Sequence, residues 1–427
     1  MFDSIKLARN EEAQARSVTQ PWLRWLPGVA VTALLGVAAC SSSDEATPGA
    51  DAGTETPDAG TETPDDGGRT DTPDADADAD RPPPVFLDPS TYADLVTIDA
   101  TFPFGVTQRH KADAAIGGSR WGRHGGPMVT TGVYGAGATP AVVHWTVPAG
   151  APTGPATRKE QAFAAASGLP GTFFYGADGM VDLPFGPSAL LSYTGSGAAF
   201  PGEALLYDAT YGTVTGRANV NGFYSGVGVA DGARQLIVYT GLSPLAASAS
   251  ATSDNGFYAA DVCGGALVAP APCPAPRKLF GWAGSSGPVA VDAHGNAFVG
   301  ASLSGGATSD EVYGLAKAQV LAAGATDGTS LAAVDSGGTA SLAAVAPVAD
   351  AAGWVLGLGF APDANLYAAS YVEQSGALAK GASVIAAAIS RATDVEGLSV
   401  FTDPEGDLWL AVTTASDGFY LELRRRP

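Results

Sequence analysis

The sequence predicts an all-β body, a β-propeller of about six blades, with five to seven compatible with the spacing. Three observations carry this. The body, residues 85–427, is rich in Gly, Ala, Val and Tyr, with turn-forming residues every few positions. Four of its segments repeat one pattern: a short apolar run, a tight polar turn, a second apolar run, a loop and a third run. At 343 residues it exceeds the roughly 250–300 at which a single core stops growing, so two domains or a radial repeat is required.

The first repeat has Gly228-Val229-Ala230, a turn at Asp231–Arg234, then Leu236–Thr240 and Gly256–Ala259. The second has Val289–Val291, a turn at Asp292–Asn296, then Ala297–Ser302 and Val312–Leu315. The third has Leu358–Phe360, a turn at Pro362–Asn365, then Leu366–Ser370 and Val384–Ala387. The fourth has Leu398–Phe401, a turn at Asp403–Asp407, then Leu408–Thr413 and Gly418–Leu421. Strand, Asp/Gly/Asn turn, strand is a hairpin signal, and the third run makes each unit an antiparallel meander. One meander cannot bury both faces, whereas several set around an axis can. The turns lie roughly 42–69 residues apart, an interval that suits a four-stranded blade. Weaker echoes precede them at Ala141–Trp145, Leu190–Tyr193, Ala204–Tyr207 and Gly222–Tyr224. The Ala-rich stretches 316–325, 341–352 and 377–388 fall where third and fourth strands are due. Ala is abundant throughout, so its helix propensity carries little local information here.

Upstream of the body are two further regions, 1–39 and 40–84. Lys6, Arg9, Arg16 and Arg24 precede an apolar run, Leu26–Ala39, of 14 residues. A bilayer core needs about 20 helical residues, so the run suits a signal peptide better than a permanent span. It ends Val37-Ala38-Ala39-Cys40, with small residues before the cysteine. This end resembles a bacterial lipobox. The resemblance implies diacylglycerol on the Cys40 sulfur, cleavage before Cys40 and acylation of the new amino end. Two or three acyl chains anchor stably where one binds marginally. Ser41 follows the cysteine, which resembles the default outer-membrane sorting signal. The expected location is therefore the outer membrane, with the body on its periplasmic face or at the cell surface.

Ser41–Pro84 holds 13 acidic residues, two basic ones and no aromatic. Ala52–Asp58 repeats identically as Ala59–Asp65. Such a tract cannot bury enough apolar surface to fold and reads as a disordered spacer, spanning roughly 35–40 Å as an unperturbed coil. Its alternating Asp74–Asp80 run is not an EF-hand loop, because Ala79 and Val85 stand where Gly and Glu are needed. Over half of the chain's net charge of −21 sits in this spacer, and the acidic balance argues against nucleic acid.

Lipidation of Cys40 leaves Cys263 and Cys273, which an oxidising compartment would pair. A disulfide across a hairpin is expected, stabilising by roughly 2–3 kcal/mol.

Within the body, Gly287–Ser302 and Gly357–Ser370 resemble blades of NHL and gluconolactonase-type β-propellers, which read Gly, apolar pair, Asp-Gly-Asn, Leu-Tyr-Val. The resemblance covers residues 228–423. It would imply a calcium-dependent lactonase with carboxylate and amide ligands just after the second strand of a blade. Those positions here hold Ser302, Ser370 and Thr413, so the expectation is no cofactor and no metal site. Val334-Asp335-Ser336-Gly337-Gly338 resembles a trypsin-like nucleophile motif but departs from it at Val334 and Thr339, and no matching His motif precedes it; a polar turn is the better account. His294 reads as a solvated turn residue. The most unusual polar cluster is Arg109-His110-Lys111 followed by Arg120, Trp121, Arg123 and His124. These last four are candidate contacts for an anionic or sugar ligand. A first-blade loop with Arg–carboxylate pairs is the competing account.

The expected function is a monomeric membrane-anchored lipoprotein whose propeller is a binding module for an envelope protein or polysaccharide, rather than an enzyme. The alternative is a propeller-type metal-dependent hydrolase or lactonase.

Overall fold

A computed structural model of the chain describes residues 82–94, 96–113, 131–134, 141–146, 151–162, 190–194, 201–207, 213–221, 225–232, 234–241, 255–264, 273–282, 285–302, 310–348, 353–360, 365–390, 395–402, 406–414 and 417–427. Nearly all of the regular structure is β-strand.

The described chain enters through β1 (Val96–Ile98) and β2 (Phe104–Asp113). A first sheet follows: β3 (Thr131–Tyr134), β4 (Ala141–Thr146) and β5 (Thr157–Ala162). The second sheet has β6 (Leu190–Thr194), β7 (Pro201–Tyr207) and β8 (Val214–Asn221). The third has β9 (Ser225–Asp231), β10 (Arg234–Gly241) and β11 (Gly256–Asp261). The chain then returns through β12 (Cys263–Gly264) to the edge of the second sheet at β8, and β13 (Arg277–Gly281) completes the third on β11. The fourth sheet is a plain meander: β14 (Ser285–Val291), β15 (Ala297–Ser302), β16 (Glu311–Leu315) and β17 (Thr329–Ala332), with helix α1 (Lys317–Val320) between the last two.

A hairpin, β18 (Val334–Ser336) and β19 (Thr339–Ser341), leads into the fifth sheet. That sheet contains β20 (Ala344–Pro347), β21 (Val355–Phe360), β22 (Asn365–Gln374), β23 (Ala377–Lys380) and β24 (Val384–Ile389), with β1 on the outer edge of β24. The sixth has β25 (Val395–Thr402), β26 (Leu408–Thr414) and β27 (Asp417–Arg425), and its outer edge is β2. The first and second N-terminal strands thus finish the last two sheets.

From the third sheet to the sixth, the first strands of consecutive sheets are neighbours: β9 lies beside β14, β14 beside β20, and β20 beside β25. Between successive sheets from the second to the sixth is an apolar layer. Ile237 and Tyr239 join Leu206 and Val220 of the second sheet, whereas Leu236 and Val238 join Val289 and Val299 of the fourth. Successive side chains of a strand point to opposite faces. A strand packed on both faces therefore reads as an unbroken apolar run, as Leu236–Tyr239 does. Phe298 and Tyr371 fill the next layer, and Leu356, Leu410, Leu421 and Phe104 the one after. The first sheet meets the sixth where Arg109 N donates to Pro152 O (2.6 Å) and Ala156 N to Lys111 O (3.0 Å).

Two expectations are corrected. The third repeat is displaced by one strand. Its turn at 362–365 joins the second and third strands of the fifth sheet, since β20 precedes them and occupies the place held by β9, β14 and β25 elsewhere. Turn chemistry marks a hairpin but not which pair of strands the hairpin joins. The equivalent first turn ends at Gly353, which has positive φ (57°), as do Gly232 (58°), Gly295 (87°) and Gly406 (86°). Second, Ala316–Ala325 is not a strand. Its first part is α1, held by Gln319, whose side chain accepts from Ala316 N at 2.8 Å.

Candidate functional site

In the fifth sheet β22 changes partner. Asn365–Ala368 pair with β24, and Tyr371–Gln374 pair with β23. At the changeover Gly381 N donates to Ser370 O (2.7 Å), and the chain jogs through 381–383 before β24 begins. A gap in the ladder results, and beside it opens a pocket of about 400 Å³. This lies within the roughly 300–1,000 Å³ of small-molecule sites.

Its wall is largely apolar: Leu356, Val372 and Val384 from the sheet, Phe102 from the lead into β2, and Trp354 from the lead into β21. The aromatic side is braced, with Phe102 and Phe104 5.3 Å apart and Phe104 and Trp354 6.2 Å apart between ring centroids. Three polar side chains join the wall: Ser370, Gln374 and Arg425. Arg425 belongs to a basic C-terminal run, Arg424–Arg426, and like its neighbours makes interactions of its own. Arg424 Nε is 3.2 Å from Asp407, and Arg426 donates to Ala100 O. Sequence reasoning did not find this pocket. Ser370 stands out in the sequence only as the position expected just after the second strand of a blade.

The turn at Asp292–Asn296 is a built polar network. The buried Asp292 carboxylate accepts from His294 N (2.9 Å), Asn296 N (2.8 Å) and Asn296 Nδ2 (3.0 Å). Asn296 Nδ2 also donates to Glu373 Oε2 (2.9 Å), and Asn296 Oδ1 accepts from Lys317 N at the start of α1 (3.0 Å). These groups hold a turn and cap a helix. Ser336 is likewise structural: it is fully buried, on the hairpin that turns through Gly337 and Gly338, and its hydroxyl bonds Thr339 O (3.0 Å) and Ser341 Oγ (2.8 Å). Among the described residues, no group of three or more His, Cys, Asp or Glu side chains gathers as a metal site. Ser302 ends β15 and Thr413 lies in β26.

The basic triplet of the sequence lies on β2. Arg109 pairs with Asp94 (2.8 Å), donates to Thr91 O (2.5 Å) and covers the Phe419 ring at 5.1 Å. His110 is buried, with Nδ1 2.8 Å from Gly154 O, Nε2 3.1 Å from Gln108 Oε1, and its ring stacked on Trp409 at 6.1 Å. Burial pushes its pKa below the ordinary value, opposed in part by the Gly154 carbonyl. Both side chains therefore tie β2 to its surroundings. Arg120, Trp121, Arg123 and His124, the candidate ligand contacts, lie outside the described residues, as does Cys40.

Cys263 and Cys273 are bonded, with Cα atoms 5.9 Å apart. The bridge does not cross a hairpin. Cys263 lies on β12, paired to β8 of the second sheet, and Cys273 leads into β13 of the third. The chain must cross between two sheets here, and the bridge closes that crossing. Asn219 of β8 supports it by donating to Pro274 O (3.2 Å).

No protein-family model matches the chain, and no curated protein matches it. Similar solved structures include a protein described as a gluconolactonase, 12% identical with a TM-score of 0.34, over 79% of this chain and 96% of its own. The GH43_1 enzyme from Xanthomonas citri is 10% identical (TM-score 0.30), over 74% and 89%. The soluble aldose sugar dehydrogenase from Escherichia coli is 10% identical (TM-score 0.28), over 58% and 95%.

Proposed function

We propose that this chain is an envelope lipoprotein, anchored through Cys40 at the outer membrane, whose body is a six-bladed β-propeller serving as a binding module. Among the described residues, six antiparallel sheets, apolar layers between successive sheets from the second to the sixth, and first strands set side by side from the third to the sixth support the propeller reading. The final sheet draws its outer strand from the N-terminal end, which supports closure of the set. The lipobox-like Val37–Cys40 and the acidic spacer support the anchor.

The observation that carries the binding role is the pocket beside β22. It is an open depression with an apolar, aromatic wall and a few polar groups, the composition of a ligand site. This narrows the partner from envelope protein or polysaccharide at large to a molecule, or a chain end, small enough to enter. Calorimetric titration of the full chain with a panel of small apolar compounds, beside its Trp354→Ala variant, tests this. Saturable binding weakened by the substitution is the expected result. Calcium-stimulated lactone hydrolysis by the same preparation, with no binding in the panel, would overturn it. Incorporation of labelled fatty acid, lost in Cys40→Ala, tests the anchor.

A further inference from the structure

Resting on the reading of this pocket as a ligand site, we propose that its ligand is an anion with an apolar body, a monocarboxylate of aliphatic or aryl type, and that Arg425 sets this specificity. The chain has 43 acidic and 22 basic side chains, yet among the described residues the only charged one in the pocket wall is Arg425. Among the described residues no carboxylate lines the pocket, and the other polar members, Ser370 and Gln374, both carry hydrogen-bond donors. A cation would meet Arg425 and find no counter-charge. A neutral molecule would leave the guanidinium's remaining donors to water. An anion gains a charge-assisted contact, and a carboxylate matches the planar fork of a guanidinium through two parallel N–H bonds. Five N–H donors allow this while Arg425 keeps its existing interactions. The apolar body would lie against Trp354, Phe102 and Leu356, whose surface it removes from water. The two halves of the wall thus ask for one molecule with two ends.

The test uses the full chain and three probes with one ten-carbon body: decanoate, decanol and decylammonium. Decanoate is expected to bind about two- to fivefold tighter than decanol, the value of one solvent-exposed charge contact, and decylammonium weakest. Arg425→Gln should bring decanoate to the level of decanol and leave decanol unchanged, whereas Trp354→Ala should weaken both. Arg425 is exposed at the end of β27, and a melting curve of Arg425→Gln controls for folding. Equal binding of decanoate and decanol, or a preference that survives Arg425→Gln, overturns the charge inference and leaves the pocket reading standing. Binding of none of the three overturns the pocket reading and this inference with it.

Discussion

Thr107 Oγ1 donates to Glu422 Oε2 at 2.6 Å, although 315 positions separate the two residues in the chain. Gln108 Nε2 donates to the same oxygen at 2.6 Å, and the Glu422 side chain is buried. The pair lies where β2 is laid along β27 across a β-bulge between Val106 and Gln108. A buried carboxylate needs hydrogen-bond partners, and here the N-terminal strand supplies both of those seen. Thr107→Val keeps the shape and removes one donor. It should lower stability by about 1.5–3 kcal/mol, the range for a hydrogen bond to a charged group. Urea unfolding followed by tryptophan fluorescence measures it, and an unchanged midpoint would show that this contact contributes nothing.

His110 makes stability depend on pH. Its pKa in the folded chain is pushed down by burial from an ordinary value of 6.5. The unfolded state then binds the proton more readily, so stability is intact above about 6.5 and is lost as pH falls from there towards the folded value. His110→Gln removes the titrating ring. Melting temperatures at pH 8, 7, 6 and 5 should fall more steeply for the natural chain than for this variant, and parallel curves would count against the assignment.

Arg277 is the least satisfied cation among the described residues. Its Nε, Nη1 and Nη2 are all buried without a hydrogen-bond partner. Burial pushes its pKa down, and so does the neighbouring Arg234 charge, against a smaller opposing pull from Asp261. Arg234 itself pairs with Asp261 at 2.7 Å near the surface. Removing an unpaired buried charge for an apolar group of similar volume is favourable. Arg277→Met should stabilise by about 1–3 kcal/mol. Arg234→Met should cost no more than about 1 kcal/mol, as for an exposed pair. Denaturant midpoints of the two variants should move in opposite directions.

Gly232 and Gly353 end equivalent turns with nearly equal φ (58° and 57°), but their surroundings differ. A Cβ on Gly232 meets nothing within 4 Å, whereas one on Gly353 comes within 3.0 Å of Ala293 Cβ and 3.1 Å of His294 Nε2 on the neighbouring turn. Gly232→Ala should therefore cost only the left-handed strain of about 1–2 kcal/mol. Gly353→Ala should cost clearly more, because the turn at Asp292 must move. Equal thermal shifts for the two would show that the turns are not packed as described.

Much of the strand pattern is legible in the chain. Leu236–Tyr239, Ala297–Ser302 and Leu408–Thr413 are apolar runs beside Asp/Gly turns, and each lies within a strand. The displaced third repeat also had a readable signal. Asp350-x-x-Gly353 matches Asp292-x-x-Gly295 and Asp403-x-x-Gly406 in sequence, whereas Pro362–Asn365 lacks the glycine. Attention to the glycine that must adopt positive φ, rather than to Asp and Asn alone, would have set the phase. The pocket had no such signal. Phe102, Trp354, Ser370, Val384 and Arg425 are spread over more than 300 residues, and nothing local marks them as neighbours.

The chain by itself determined where strands and turns form, because alternation of side chains and the φ demanded at a tight turn are properties of a few adjacent residues. It also determined the segmented order of apolar run, acidic Asp/Thr/Pro-rich tract and Gly/Ala-rich remainder, which is a matter of composition. Only the tertiary structure decided which strands close the last two sheets, which sheets the Cys263–Cys273 bridge ties, and where a pocket opens. Edge pairing, as of β2 with β27, depends on which free edge lies within reach once the other sheets have stacked. The gap beside β22 exists because one strand is shared between two partners that do not meet end to end.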